Sequence, residues 1–232
     1  MYLIEGVKTV KEALSAGADI QTVAVCGGVK EVDAGMSECN VVVLEENLFK
    51  NLTDTRTSQG MLAVSRKKEY ALSDLEQVLG TDGGNIVVLD RLQDPGNMGT
   101  IIRTAEAAGY RAVLIMPGCA DIYSPKVARA AAGSLFRMPI IHGDTCENVI
   151  GELRRLGKKI AVTSLDADTF YYETDLSEDT ALVIGNEGRG VSADFMELSD
   201  IKIKIPMRGS IESLNAAVAA GILMYQSYGK NK

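Results

Sequence analysis

Residues 86–109, IVVLDRLQDPGNMGTIIRTAEAAG, set the architecture and raise the main question about this chain. Four apolar residues typical of a buried strand lead through a Gly/Pro/Asn turn into a segment with apolar residues at helical spacing. A strand followed by a tight turn and a helix is the repeating unit of parallel α/β sheets. Within this helix, Arg103 is a permanently charged side chain that shares one side with Gly99, Thr100 and Ala107, small residues that leave room for a ligand. A role for this isolated charge has to be sought in the other stretches of the chain.

Further apolar, β-rich runs follow this first unit and alternate with helical patterns. They are AVLIM, KKIAVTSL, TALVIGNE and IKIKIP, and they lie between residues 112 and 206. This alternation predicts an α/β fold in which a parallel sheet carries helices on both faces. The helix ends have the expected residues, because Asp94 with Pro95 and Ser124 with Pro125 fit helix starts, and Gly109 and Gly133 fit helix ends.

A shorter unit precedes residue 70. Its pattern predicts a helix over residues 7–14, strands in TVAVCGG and NVVVLEE, a helical turn over residues 47–52 and a last strand in GMLAVSRK. We expect residues 1–69 to form a small α/β domain and residues 70–232 to form a larger one. The segment YALSDLEQVLGTDGGN is expected to join them, with its polar, Gly-rich end forming a loop.

Composition excludes several classes of protein. The chain has 232 residues, 46% of them hydrophobic, which is enough for a large core, and its net charge of -7 argues against nonspecific coating of nucleic acid. The four cysteines are scattered and only one histidine is present, so we expect no metal site and no disulfides. No apolar run is long enough for a membrane span and no leader pattern is visible, so we expect a cytoplasmic protein without a membrane partner.

A second stretch, ALVIGNEGRGVS (residues 181–192), runs from a strand into a turn with three glycines around Glu187. Glycines at the end of a parallel strand let the backbone approach a ligand, and ligands bind at that edge of open α/β sheets. A simple strand-to-helix turn explains the glycines but not the acid. The GxGxxG and GK[ST] signatures are absent, which excludes the usual dinucleotide and P-loop sites.

A third stretch, IPMRGSIESLNAAVAAGILMYQ (residues 205–226), ends a strand at Pro206 and then opens a nearly polar-free helix. We expect Ser213 to be the N-cap of that helix and Asn215 to lie in its first turn. Because the helix is apolar on more than one face, we expect it to bury against a second copy of the chain in a homodimer.

The three stretches together resemble a known family. DPGNMGTIIRTA, VIGNEGRGVS and IPMRGSIESLNAAVAA match, in order and spacing, the three motifs of the SpoU (TrmH) family of S-adenosylmethionine-dependent RNA ribose 2′-O-methyltransferases, of the SPOUT class. The N-terminal unit, through EGVKTVKEAL and TSQGMLAV, resembles the family's ribosomal-protein-like substrate-binding domain. The resemblance implies a C-terminal trefoil knot whose loops bind the methyl donor, which general fold rules would not predict.

The resemblance also implies roles for single residues. Methyl transfer to a ribose hydroxyl needs alignment of the oxygen with the methyl group and a group that stabilises the alcohol as its proton leaves. Arg103 matches the family residue for that task, and because a guanidinium stays protonated we expect it to stabilise the alkoxide or hold a phosphate. The implied catalytic set is Asn97, Arg103, Glu187, Ser213 and Asn215, the donor-binding set is Thr163, Leu165, Gly185, Ile205, Met207 and Leu214, and the RNA-binding set is Lys126, Arg129 and Arg137.

The expected substrate is structured RNA, with rRNA favoured over tRNA. Three other readings stay open: a non-catalytic RNA-binding protein of the same fold, a base methyltransferase of the wider knotted superfamily, and an unrelated nucleotide-binding α/β protein. The intact catalytic set argues against the first and the SLN helix start against the second. The third leaves the pairing of glycine turns with Arg103 and Asn215 unexplained.

The acidic balance, with a pI of about 4.9, is low for an RNA-binding enzyme. We therefore expect a confined basic groove built from both subunits, with Arg103, Arg129 and Arg137 facing it and acidic residues on the outer surfaces.

Overall fold

The structure, a computed structural model, describes residues 1–27, 39–53, 59–208 and 213–229. For residues 228 and 229 it describes the backbone alone. The N-terminal part forms a four-stranded sheet of order β1-β4-β2-β3, in which β4 is antiparallel to both neighbours and β2 is parallel to β3. Its elements are β1 (Tyr2–Glu5), α1 (Val7–Ser15), β2 (Ile20–Cys26), β3 (Asn40–Leu44), α2 (Glu46–Leu52) and β4 (Met61–Ser65).

The second sheet contains eight strands within the described ranges, all parallel, in the order β10-β12-β9-β11-β6-β7-β8-β5. The strands are β5 (Tyr70–Ala71), β6 (Ile86–Leu89), β7 (Ala112–Ile115), β8 (Ile140–His142), β9 (Lys159–Thr163), β10 (Thr169–Phe170), β11 (Thr180–Ile184) and β12 (Ile201–Lys204). The helices are α3 (Leu75–Leu79), α4 (Pro95–Ala107), α5 (Pro125–Ala131), α6 (Ser134–Arg137), α7 (Cys146–Arg155), α8 (Ala193–Leu198) and α9 (Ala216–Gly229).

The central strands are buried on both faces. In β6, Val87 and Leu89 pack into a core shared with α4, α5 and α9, whereas Ile86 and Val88 pack into a second core with α3, α7 and α8. Alternate side chains of a strand point to opposite faces, so a strand covered on both sides is apolar throughout. The predicted parallel sheet with helices on both faces is confirmed. In the part of the chain that the structure describes, no helix has the length and hydropathy needed to cross a membrane.

The expected linker, residues 70–85, is part of the large sheet instead of a simple connection. Its β5 pairs with β8, and α3 buries Leu75 and Leu79 in the second core. The strands β1, β8 and β10 were also not predicted. Strands of two to four residues are too short to show a hydrophobic period, and partner strands hold them in place.

Helix starts follow the expected capping chemistry in two of three cases. The Asp94 carboxylate accepts the Asn97 N–H at 2.8 Å at the start of α4, and Ser124 caps α5 through the Val127 N–H at 3.4 Å. The prediction of Ser213 as N-cap of α9 is wrong. Asn215 accepts the N–H groups of the second and third helical residues at 2.9 and 3.2 Å. Ser and Asn cap equally well, so sequence alone could not choose between them.

Gly99 lies at a close contact between α4 and α5. A Cβ atom at Gly99 would stand 2.6 Å from the Ala130 Cβ and 2.7 Å from the Val127 carbonyl oxygen. Gly99 was expected to lie, with Arg103, on a side of α4 that leaves room for a ligand. At Gly99 that interpretation is wrong because α5 fills the space, whereas Thr100 and Arg103 are exposed.

Replacing Gly99 with alanine is expected to lower the free energy of unfolding by about 1–3 kcal/mol, because the methyl group meets backbone that cannot move without separating two helices. Urea denaturation measures the change. The matched control is Gly151→Ala in α7, where a Cβ meets nothing within 4 Å. That change should instead stabilise the protein, by about 0.5–1 kcal/mol. Equal effects at the two glycines would contradict the close packing of α4 on α5.

Candidate active site

The C-terminal ends of β9, β11 and β12 enclose an open cavity of about 520 Å³. This volume is typical of a small-molecule site, and the lining combines apolar side chains with backbone groups of two loops. Such a lining suits a ligand with a flat apolar part and a few polar groups. The structure brings together here all six residues of the predicted donor-binding set, Thr163, Leu165, Gly185, Ile205, Met207 and Leu214, and it adds Glu187 and Ser213 from the catalytic set.

A tight hairpin after β11 forms one wall of the cavity. Asn186 and Gly190 exchange two backbone hydrogen bonds of 3.0 and 2.9 Å, and a Cβ on Gly185 would lie 2.2 Å from the Gly190 backbone. The Asn186 side chain accepts the next two free backbone N–H groups at 3.0 Å and donates to the Arg91 carbonyl at 2.9 Å. The close approach that Gly185 permits is therefore between two parts of the chain itself, and it makes the wall rigid.

Glu187 is the acceptor that joins this hairpin to the start of α4. Its carboxylate accepts the backbone N–H groups of Gln93 at 3.1 Å and Asp94 at 2.9 Å, and the Asn97 side-chain amide at 3.1 Å. The Asn97 side-chain oxygen Oδ1 in turn accepts a hydrogen bond from the Asn215 side-chain amide at 2.8 Å. A continuous chain of hydrogen bonds, Asn215 to Asn97 to Glu187, thus links one residue from each of the three motifs.

These hydrogen bonds keep Glu187 ionised. Partial burial raises the pKa of its carboxyl group, but the hydrogen bonds from Asp94, Asn97 and Gln93 outweigh burial and lower the pKa below its ordinary value. At neutral pH the group is therefore an anion that accepts hydrogen bonds and cannot act as a proton donor.

Arg103 lies apart from the cavity of its own chain. It is six residues beyond Asn97, about 9 Å further along the axis of α4, and it is not among the residues that line the cavity. Its side chain is exposed and makes no ion pair or hydrogen bond with any residue in the described ranges. The fold therefore makes no use of this charge.

The predicted RNA-binding residues all have carboxylate partners. The Arg129 pair joins α5 to the small sheet, because Glu5 belongs to β1 and is almost completely buried. An RNA phosphate would have to compete with these carboxylates, which sets this group apart from Arg103. The pairs are Lys126 with Asp94 at 3.5 Å, Arg129 with Glu5 at 3.6 Å and Arg137 with Glu106 at 2.5 Å.

Asp90, which was not among the predicted site residues, anchors the hairpin from the opposite side. The carboxylate is buried, accepts the Ser192 N–H at 2.6 Å and pairs with the Arg91 guanidinium at 3.2 Å. The predicted site residues also did not include four that line the cavity: Ser164, Asp166, Arg189 and Lys204. A charged residue directly after a fully apolar strand was the available signal for Asp90.

The cysteines and acids show no sign of metal or thiol chemistry in the described ranges. No three His, Cys, Asp or Glu side chains there lie close enough to hold a metal ion, and the four cysteines are unpaired. Burial raises the pKa of Cys119 to about 11 and that of Cys146 to about 12, so both thiols stay protonated at neutral pH.

Comparison with known families agrees with this geometry. The sequence profile of the SpoU rRNA Methylase family matches residues 84–225, which contain all three motifs. The chain belongs to the SpoU rRNA methylase family. The profile of the MRM3-like substrate binding domain matches residues 1–63, in the part that carries the small sheet. The family resemblance read from the three motifs is confirmed, and the trefoil knot follows from the SpoU fold.

Relatives of known identity cover both parts of the chain. The 23S rRNA (guanosine(2553)-2′-O)-methyltransferase RlmP of Bacillus subtilis is 37% identical over 231 residues, which are 98% of this chain and 88% of the relative. The SpoU methyltransferase AviRb from Streptomyces viridochromogenes in complex with AdoMet has a TM-score of 0.87 and 28% identity, covering 99% and 89% of the two chains. The AdoMet-bound rRNA methyltransferase from Sinorhizobium meliloti has a TM-score of 0.87 and 31% identity, covering 99% and 87%.

Glu187→Gln is expected to lower the free energy of unfolding by about 1 kcal/mol at pH 7, because the new amide cannot accept hydrogen bonds on both sides. The folded-state pKa of Glu187 lies below the ordinary 4.5, so its contribution is present above pH 4.5 and is lost as the pH falls through the folded-state pKa. Urea denaturation at pH 7, 5 and 3 should show wild type and variant converging in acid.

The control for this measurement is Glu178→Gln, an exposed acid whose carboxylate makes no hydrogen bond within the described residues. It should leave stability unchanged at every pH. A difference between Glu187→Gln and wild type that persists undiminished at pH 3 would contradict the role given to the ionised carboxylate.

Proposed function

We propose that this chain is an S-adenosylmethionine-dependent methyltransferase that transfers a methyl group to a ribose 2′-hydroxyl of rRNA. The observation that carries the proposal is the hydrogen-bond chain from Asn215 through Asn97 to Glu187, which ends at a cavity lined by the whole donor-binding set. Membership of the SpoU family supports the reaction, and the activity named for the RlmP relative supports rRNA as the substrate.

The cavity fits S-adenosylmethionine. Leu165, Ile205, Met207 and Leu214 offer apolar surface to a purine ring, and backbone groups around Gly185 can take up its polar edge. The donor supplies, when bound, a reactive methyl group on a positively charged sulfur. The ionised Glu187 at the cavity wall favours a cation there.

The side chains of the catalytic set divide into positioning and charge-stabilising roles. Asn97 and Asn215 hold each other and Glu187 in place, which fixes the cavity relative to α4. Ser213 lies exposed at the cavity and is not used as a cap, so its hydroxyl is available to the ribose. Arg103 does not take the proton, because its guanidinium is already protonated. Its charge stabilises the alkoxide as the proton leaves to solvent.

We further propose that two copies of the chain complete one site. Val218, Ile222 and Tyr225 lie on one face of α9 at helical spacing, and Val218 and Tyr225 remain 52% and 49% exposed. An exposed apolar face of this kind is typical of a protein–protein interface. Arg103 does not line the cavity of its own chain, so it can act on a bound donor only at the cavity of another copy. A homodimer through α9 would meet both requirements, and sedimentation equilibrium checks the state.

We place the domain boundary between residues 69 and 70. The first sheet ends with β4 at Ser65, and the second sheet begins with β5 at Tyr70. Residues 1–69 would bind RNA, as the match of residues 1–63 to a substrate-binding domain supports. Lys126, Arg129 and Arg137 would contribute to RNA binding after exchanging their carboxylate partners for phosphates. The second candidate substrate is tRNA.

Methyl transfer from labelled S-adenosylmethionine to protein-free rRNA and tRNA tests the function. We expect label in rRNA, recovered as a 2′-O-methylated nucleoside. Arg103→Ala should lower the rate at least 100-fold through loss of one charge on the alkoxide, while the dissociation constant of the donor in calorimetry stays within threefold.

The control is Arg111→Ala, an exposed arginine whose Asp82 partner lies at the opposite edge of the sheet, and it should keep full activity. Label in tRNA would select the second candidate substrate. Label on a base would overturn ribose methylation, and a fully active Arg103→Ala would remove that residue from the reaction.

A further inference from the structure

Cations without acidic partners gather at the rim of the donor cavity. Arg189 and Lys204 line the cavity, and Lys202 lies on the same face of β12 as Lys204. None of the three side chains makes an ion pair with any residue that the structure describes, in contrast to Lys126, Arg129 and Arg137. Although Asp166 and Glu187 also line the cavity, these three cations are not tied to any carboxylate of the described residues and can therefore bind phosphates.

Aromatic rings lie beside these cations. The rings of Phe170 and Tyr172 are stacked, with centroids 5.4 Å apart and planes 14° apart. Phe170 pairs with Lys204 across β10 and β12, and the Lys204 Nζ lies 5.2 Å from the Phe170 ring centroid. We call Phe170, Tyr172 and Lys204 the aromatic shelf.

Tyr171 anchors the shelf to the protein core, and one ring of the shelf is partly exposed to solvent. Tyr171 packs against the core that contains α4 and α9 and meets Tyr172 edge-on at 5.2 Å. Tyr172 itself remains 53% exposed even though Phe170 lies against it. A ring held parallel to another ring, yet still open to solvent, can accept one more flat ring in the stack.

Because the shelf adjoins the cavity of a proposed RNA methyltransferase, the flat ring that it stacks is best explained as a nucleobase. Every nucleobase has a π face that stacks on aromatic side chains, and cations beside the stack neutralise the attached phosphates. RNA strands are recognised with their bases splayed out, because a helix hides them. Since Lys204 belongs both to the shelf and to the cavity wall, the shelf adjoins the cavity in which the methyl donor would bind.

We propose that the aromatic shelf stacks an unpaired base adjacent to the nucleotide that is methylated, while Lys202 and Lys204 hold the phosphates beside it. This inference rests on the proposed function and adds a contact that selects single-stranded RNA at the target. The stacked base replaces stacking that the strand loses when it opens to expose the reacting ribose.

The test compares Tyr172→Leu, which keeps apolar area and removes the ring, with Tyr172→Phe, which keeps the ring. With rRNA as methyl acceptor, Tyr172→Leu should raise KM roughly 5- to 100-fold, the effect of losing one base stack, and change kcat less than twofold. Tyr172→Phe should match wild type. Calorimetry with S-adenosylmethionine should give one dissociation constant for all three proteins, which also shows that they fold.

Direct binding uses a labelled single-stranded A12 oligonucleotide and a 12-base-pair RNA duplex as probes. Tyr172→Leu should weaken binding of A12 and leave the duplex unaffected. Lys202→Gln should reduce the slope of log K against log salt for A12 by about one, because one phosphate contact is lost.

The outcomes separate the two proposals. Wild-type methyl transfer together with an unchanged KM in Tyr172→Leu would overturn the shelf and leave the proposed function standing. Absence of transfer by wild type would overturn the proposed function, and the A12 measurement would still decide the shelf. A changed sedimentation state in Tyr172→Leu would show that the ring faces a second copy, and that too would overturn the inference.

Discussion

The carboxylate of Glu187 holds in place parts of the chain that are 90 or more residues apart. It fixes the start of α4 through two backbone N–H groups and one amide, and through Asn97 it reaches the residue that caps α9. A parallel sheet makes this possible, because it brings the ends of separate strands to one edge. The cavity wall formed by the hairpin is held by this acceptor together with Asp90, which anchors the other side of the same hairpin.

The basic side chains fall into two groups, those in ion pairs with carboxylates of the fold and those without an acidic partner among the described residues. Arg129 and Arg137 are bound to carboxylates, and Arg129 ties the small sheet to the large domain through the buried Glu5. Arg103, Lys202 and Lys204 have no acidic partner among the described residues. An acidic chain can serve RNA in this way, because a few unmatched cations near one cavity matter more than the net charge.

The sequence predicted the layers of the fold well. Fully apolar runs such as residues 86–89 define strands covered on both faces, and capping residues such as Asp94 mark helix starts. The second and third motifs supply loops that line the cavity, whereas none of residues 94–105 of the first motif lines it. The knot could be expected only from the family resemblance, because no local pattern records how one loop passes through another.

Other features depend on contacts that sequence patterns do not encode. The segment that contains Tyr70 and Leu75 was predicted to be a linker. Its strand β5 has only two residues and is stabilised by pairing with β8, which no local sequence pattern shows. Gly99 allows α4 to pack closely on α5, whereas its small size had suggested space for a ligand. Asn215, and not Ser213, caps α9. The separation of Arg103 from the cavity of its own chain was visible only in three dimensions.

A double-mutant cycle of Asn97→Ala and Glu187→Gln, measured on the dissociation constant of S-adenosylmethionine, shows whether Asn97 and Glu187 act together in shaping the cavity. If the hydrogen-bond chain shapes the cavity as a unit, each single change weakens donor binding and the double change adds little more, with a coupling of about 0.5–3 kcal/mol. Strictly additive effects, or donor binding that neither change alters, would contradict the account.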